Sequence, residues 1–245
     1  MKPTIHTIAS NDPDLQHSKL LSAASLIFEY AEEHGSIGLT KTKAFNRKFV
    51  AWAADNLDWP EYSAKELYRV NKVLNEPDIY PIWVLHDLFI ISKLGRHYKG
   101  EFVLTKKGKA LSTDSGQLFL IIAECFLYEY NLANLDRFDE GIPHSWDVFL
   151  NVINVEAHDG ATRQHLLKTF FGYEEKPEGI DREYFVYSMF LSTRVLLPLV
   201  WLGFLEERQV EEDDLSEKVY FKTPLWHKCL KLDTDRMLIE VVRRA

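Results

Sequence analysis

Apolar residues recur at helical spacing from Lys19 to His34, where Leu20, Leu21, Ala24, Ile27, Phe28 and Ala31 share one face. Ser18 is placed to cap the start of this predicted helix and Gly35 to stop its end. The same period returns over Ala44 to Leu57, with Phe45, Phe49, Val50 and Ala53 inward and Arg47 and Lys48 outward. Glu61 to Asn75 predicts a third helix, ended by Pro77. Pro81 to Lys93 is apolar nearly all round and opens on a proline, so it predicts a helix buried on more than one side. Between the first two helices, Ile37 to Thr40 is short and β-compatible.

The period then changes from 3.6 to 2. Arg96 to Tyr98 and Glu101 to Thr105 predict two strands joined at Lys99-Gly100, where glycine supplies the positive φ of a two-residue turn. Thr105 is placed to cap a helix from Lys106. Helix, short strand, further helices and hairpin is the order of a winged helix-turn-helix. The ending Leu104-Thr105-x-x-Gly108-x-x-Leu111 resembles the close of many bacterial winged-helix proteins, in which the last strand of the wing runs into a helix.

The second half echoes the first. Gln117 to Asn134, Ser145 to Val155 and Thr162 to Phe171 predict helices, with turns at Gly141-Ile142-Pro143 and Asp159-Gly160 and a linker at Gly172 to Gly179. The apolar run Phe185 to Leu205 carries Arg194 and Pro198 and acidic flanks, so it predicts buried core helices in place of a membrane span. Leu202-Gly203-Phe204-Leu205, an acidic connection, Val219 to Thr223 and a helix from Pro224 parallel Leu94-Gly95, the hairpin and Lys106 onward. In this echo Trp226 stands where Gly108 would, and Glu211, Glu212, Asp213 and Asp214 make an acidic tip that cannot follow phosphates. The expected fold is mainly α, with two winged-helix-like domains in tandem. Residues 1–18 are a polar tail, 19–112 the first domain, 113–180 a helical connector and 181–245 a degenerate second domain.

Composition sharpens this picture only through charge. Residues 36–110 hold 13 Lys plus Arg against 8 Asp plus Glu, whereas residues 111–245 hold 14 against 24, within a chain of net charge −8. The basic segment fits either a polyanion or the chain's own acidic half. Cys125 and Cys229 lie in apolar runs and read as buried thiols, and the first residues lack the apolar core of a signal peptide, so a cytoplasmic location is expected.

Gly38-Leu39-Thr40-Lys41-Thr42, Arg47-Lys48-Phe49-Val50, Leu85-His86-Asp87-Leu88 and Phe102 to Gly108 are similar to the helical region of a poorly characterised bacterial family. That family is named after an open reading frame on a root-inducing plasmid. The resemblance spans 35–112, implies a fold and implies no particular chemistry.

The candidate nucleic-acid contacts are Lys93, Arg96, His97, Lys99, Lys106, Lys107 and Lys109, with Arg47 and Lys48 as a second group. Along double-stranded DNA such residues neutralise phosphates and add affinity without reading sequence. The alternative is a solvated hairpin whose lysines only guard a sheet edge. The helix that should enter a groove presents His86, Ile90 and Lys93, flanked by Trp83 and Asp87, with almost nothing to bond base edges. The face of Pro81 to Lys93 therefore also fits self-association or a protein partner. Glu156, His158 and His165 are the best metal candidates, but Asp159-Gly160 interrupts their helix, so neither metal nor cofactor is expected. Glu124 beside Cys125 is the one candidate carboxylate for catalysis, and without a phosphate loop or nucleophile elbow no enzyme is expected.

Overall fold

The computed structural model describes residues 2–136, 141–209, 218–236 and 238. The fold is mainly α-helical with two small sheets, and the chain divides into two compact units, Thr7–Tyr130 and Met1–His6 with Asn131–Ala245.

The first unit opens with α1 (Lys19–His34), capped where the Ser18 hydroxyl accepts from Leu21 N–H at 3.2 Å and ended by Gly35 at φ 80°. Strand β1 (Ile37–Gly38) leads to α2 (Arg47–Asn56), whose cap is the Asn46 side chain, 3.0 Å from Phe49 N–H. Helix α3 (Ala64–Val70) is shorter than its sequence pattern predicts. The residues beyond it serve another turn: the Asn75 backbone N–H donates to Asp78 Oδ2 at 2.7 Å, capping a 3-10 turn at Glu76–Asp78. Helix α4 (Tyr80–Ile91) buries Ile82, Val84, Leu85, His86, Leu88 and Phe89, as expected of a helix apolar all round. Strands β2 (Gly95–Tyr98) and β3 (Glu101–Leu104) form the expected hairpin, with Lys99 at φ 51° and Gly100 at φ 80° in its turn. The sheet order is β1-β3-β2. Helices α5 (Lys106–Leu111) and α6 (Ser115–Tyr128) complete the unit.

The second unit repeats part of that order. Helix α7 (Trp146–Glu156), strand β4 (Ala161–Thr162) and α8 (Arg163–Phe171) precede α9 (Arg182–Phe190), which passes through a π turn at Leu191–Leu196 into α10 (Leu197–Trp201). Strands β5 (Leu205–Gln209) and β6 (Lys218–Lys222) form a sheet of order β4-β6-β5, followed by α11 (Pro224–Cys229). The Gly172 to Gly179 segment connects α8 to α9 inside this unit. Arg182–Trp201 is long and apolar enough to cross a membrane by length and composition, and half of its residues are buried. Pro198 has no N–H to give the Arg194 carbonyl, and His144 Nε2 bonds that oxygen at 3.3 Å instead.

Backbone bonds place the two hairpins in register and correct the expected alignment by two residues. At the end of α4, Lys93 takes φ 60° and Leu94 N–H bonds Phe89 O at 2.9 Å; at the end of α10, Gly203 takes φ 76° and Phe204 N–H bonds Leu199 O at 2.9 Å. Thr105 N–H bonds Leu94 O at 2.9 Å, and Thr223 N–H bonds Phe204 O at 3.1 Å. Gly203 therefore matches Lys93, not Gly95. The acidic tip Glu211 to Asp214 lies outside the described residues. Lysine in the left-handed region costs about 1 kcal/mol relative to glycine. Lys93→Gly is expected to raise the stability of the first unit by about 0.5–1 kcal/mol, read as a higher urea midpoint.

Candidate functional site

The hairpin alternates its faces. Arg96 pairs with Val103 and Tyr98 with Glu101, whereas His97 pairs with Phe102, a core ring. Arg96 and Lys99 flank the half-exposed Tyr98 ring, their charged groups 5.3 and 5.2 Å from its centroid. Lys106 and Lys107 are exposed in the first turn of α5, where a helix dipole disfavours cations, and Lys109 is exposed in its last turn. Lys107 Nζ donates to Ser92 O at 3.0 Å, and Lys93 is exposed at the end of α4. Among the described residues no carboxylate lies within 4.0 Å of the nitrogens of Lys93, Arg96, Lys99, Lys106, Lys107 or Lys109. Arg47 and Lys48 are exposed at the start of α2, where Arg47 Nε donates to Asn75 Oδ1 at 3.1 Å.

His97 belongs to a different structure. Its Nε2 lies 2.8 Å from His86 Nε2, and His86 Nδ1 lies 2.6 Å from Glu76 Oε1. Glu76 is 2% exposed and its other oxygen accepts from Phe45 N–H at 3.1 Å. The Phe45 ring stacks on His86 at 4.0 Å and 7°, and the Phe102 edge meets it at 5.4 Å. This array borders a cleft of about 290 Å³ shared with Lys43, Trp83, Asp87 and Ile90. Burial first, then His86 and Lys43, hold His97 below the usual imidazole range, which disfavours a positive charge on it. Asp87 is pushed up, chiefly by burial. Sequence reading chose His97 for a phosphate role and passed over Glu76, because nothing in helical or strand periodicity marks a buried carboxylate in a 3-10 turn.

His165 Nε2 pairs with Glu156 Oε2 at 2.5 Å on the surface of the second unit. Cys125 and Cys229 are buried, and burial pushes the Cys125 thiol up to about 12.

Two family descriptions match the chain: Y4jL N-terminal domain over residues 16–117 and y4jL C-terminal domain over residues 136–224. The uncharacterized protein y4jL of Sinorhizobium fredii (strain NBRC 101917 / NGR234) is 37% identical over 164 residues, covering 66% of this chain and 74% of that protein. No solved structure matches. Both halves are thus covered by the comparison, beyond the 35–112 expected from the sequence, and the chain belongs to the Y4jL family.

Proposed function

We propose that both units are winged helix-turn-helix domains and that the first binds the phosphate backbone of double-stranded DNA through its hairpin and α5. The carrying observation is the set of exposed cations, Lys93, Arg96, Lys99, Lys106, Lys107 and Lys109, that meet no carboxylate among the described residues. Lysines in the first turn of a helix oppose its dipole, which favours a ligand-binding reason for their placement. The outer face of α4 offers Trp83, Asp87, Ile90 and Ile91 and no Arg, Asn or Gln, so binding rests on phosphates and is indifferent to sequence.

Fluorescence anisotropy of a short duplex is expected to show binding at low salt that weakens as log[salt] rises, with a slope of about −4 to −5 for some five phosphates neutralised. Replacing Lys99, Lys106 and Lys107 together by Glu is expected to flatten that slope by about 3 and cut affinity more than tenfold. Wild-type protein that ignores duplex at low salt, or a triple variant with the wild-type slope, refutes the reading. That result leaves the second reading, in which a protein partner or a second copy of the chain covers the apolar face of α4, where Ile90 and Ile91 are 36% and 38% exposed.

A further inference from the structure

The cleft beside His97 carries charges of both signs that the protein leaves unanswered. One wall is a single face of α4, where Trp83, Asp87, Ile90 and Ile91 follow each other at i, i+4, i+7 and i+8. The other holds Lys43, from the loop before α2, and His97 of β2. Among the described residues, neither the half-buried Asp87 carboxylate nor the Lys43 ammonium has a hydrogen bond or an ion pair.

Glu76 and His86 do not supply the missing partners, because they answer each other. Burial, and then the positive charge on His86, lower His97, and that charge faces the Glu76 carboxylate at 2.6 Å. His86 gives its second N–H, on Nε2, to His97 Nε2 at 2.8 Å, so a neutral His97 carries its own proton on Nδ1. The cleft is left with one cation, one anion and one imidazole N–H donor. Burial pushes Asp87 up, and a cation set against it would stabilise its charged form. Lys43 stands at φ 66° in a loop fixed by the Thr40 hydroxyl, which accepts from Ala44 N–H at 3.1 Å. Left-handed backbone at a residue other than glycine clusters where side chains are held for binding.

From this balance of charge we infer that the cleft binds a small zwitterion, a free α-amino acid with an apolar side chain. Its ammonium meets the Asp87 carboxylate, its carboxylate lies between Lys43 Nζ and His97 Nδ1–H, and its side chain packs on Trp83, Ile90 and Ile91. The volume of about 290 Å³ is at the lower end for ligand sites, which limits the ligand to this size. An anion alone would face Asp87 and a cation alone would face Lys43, so each singly charged relative is penalised. None of the six cations assigned to the DNA backbone takes part, and the two readings fail separately.

The test is a ligand-observed NMR titration of the full chain with L-phenylalanine. Phenethylamine and 3-phenylpropionate, which keep only its ammonium or only its carboxylate, are titrated beside it. L-Phenylalanine is expected to bind with a Kd of about 0.1–1 mM, and each analogue about tenfold more weakly. Asp87→Asn, close in shape, is expected to keep the fold by circular dichroism, weaken L-phenylalanine about tenfold and tighten 3-phenylpropionate. Lys43→Met, at an exposed position, is expected to weaken L-phenylalanine and 3-phenylpropionate alike and to spare phenethylamine. The inference fails if L-phenylalanine does not bind at ~10 mM, if either analogue matches it on the wild-type chain, or if neither substitution changes the order of the three.

Discussion

Replacing Asp136 by alanine is expected to destabilise the second unit by about 3–5 kcal/mol, because it removes a bidentate carboxylate from the buried Arg194 guanidinium. The pair is bidentate, with Arg194 Nε 2.7 Å from Asp136 Oδ2 and Nη2 2.8 Å from Oδ1, and Thr193 adds a 3.0 Å bond to the same carboxylate. The two side chains are only 8% and 2% exposed, so water neither screens the pair nor solvates a survivor. In urea, at about 2 kcal/mol per molar, the transition of this unit should fall by about 1.5–2.5 M. The double change Asp136→Leu with Arg194→Met should recover most of the loss, since a packed apolar pair avoids the desolvation cost. Equal damage from the single and double variants would mean that the bonds of Thr193 and the π turn, not the buried ion pair, hold this region.

The pair also shows where sequence reading stops. Arg194 and Pro198 were legible as marks against a membrane span, yet no local pattern in the sequence points to Asp136, 58 residues earlier, as the partner. Elements whose causes are local were legible: the Ser18 cap and Gly35 stop of α1, the all-round burial of α4, and the Lys99-Gly100 turn. Helix α3 was overextended because the pattern was carried up to the stop at Pro77, whereas Asn75 and Asp78 cap the next turn. The repeat was visible but misregistered by two residues, since glycine at 203 was matched to glycine at 95. Only the backbone bonds show that Lys93 occupies the left-handed position. Of the candidate site, the cations were legible by proximity in sequence, while the Glu76, His86 and His97 array joins a turn, a helix and a strand and was not.

Position 108 and its counterpart 226 are expected to reject each other's chemistry. In the first unit the Thr105 hydroxyl donates to Lys93 O at 2.8 Å and accepts from Gly108 N–H at 3.1 Å, tying the start of α5 to the end of α4. A Cβ on Gly108 would stand 2.2 Å from the Leu94 carbonyl oxygen, a backbone atom that itself accepts from Thr105 N–H and has no room to move. Gly108→Ala should therefore cost about 2–3 kcal/mol, at the upper end of overpacking effects, and loosen the hairpin from α5. In the second unit Thr223 donates to Gly203 O at 2.6 Å but makes no side-chain cap bond to α11. Trp226 is 1% exposed and gives its indole N–H to Asn154 Oδ1 at 3.0 Å. Trp226→Gly should cost about 3–5 kcal/mol by emptying that space, while Asn154 Oδ1 keeps Lys222 Nζ as a donor at 3.1 Å. Amide hydrogen exchange resolves the two cases, because Gly108→Ala should speed exchange at Thr105 and Lys109, and Trp226→Gly should speed it at Thr223 and Leu230. Unchanged protection at Thr105 in Gly108→Ala would show that α5 can shift away from the Leu94 carbonyl, and the requirement for glycine in the LTxxG ending would then lie outside the folded state.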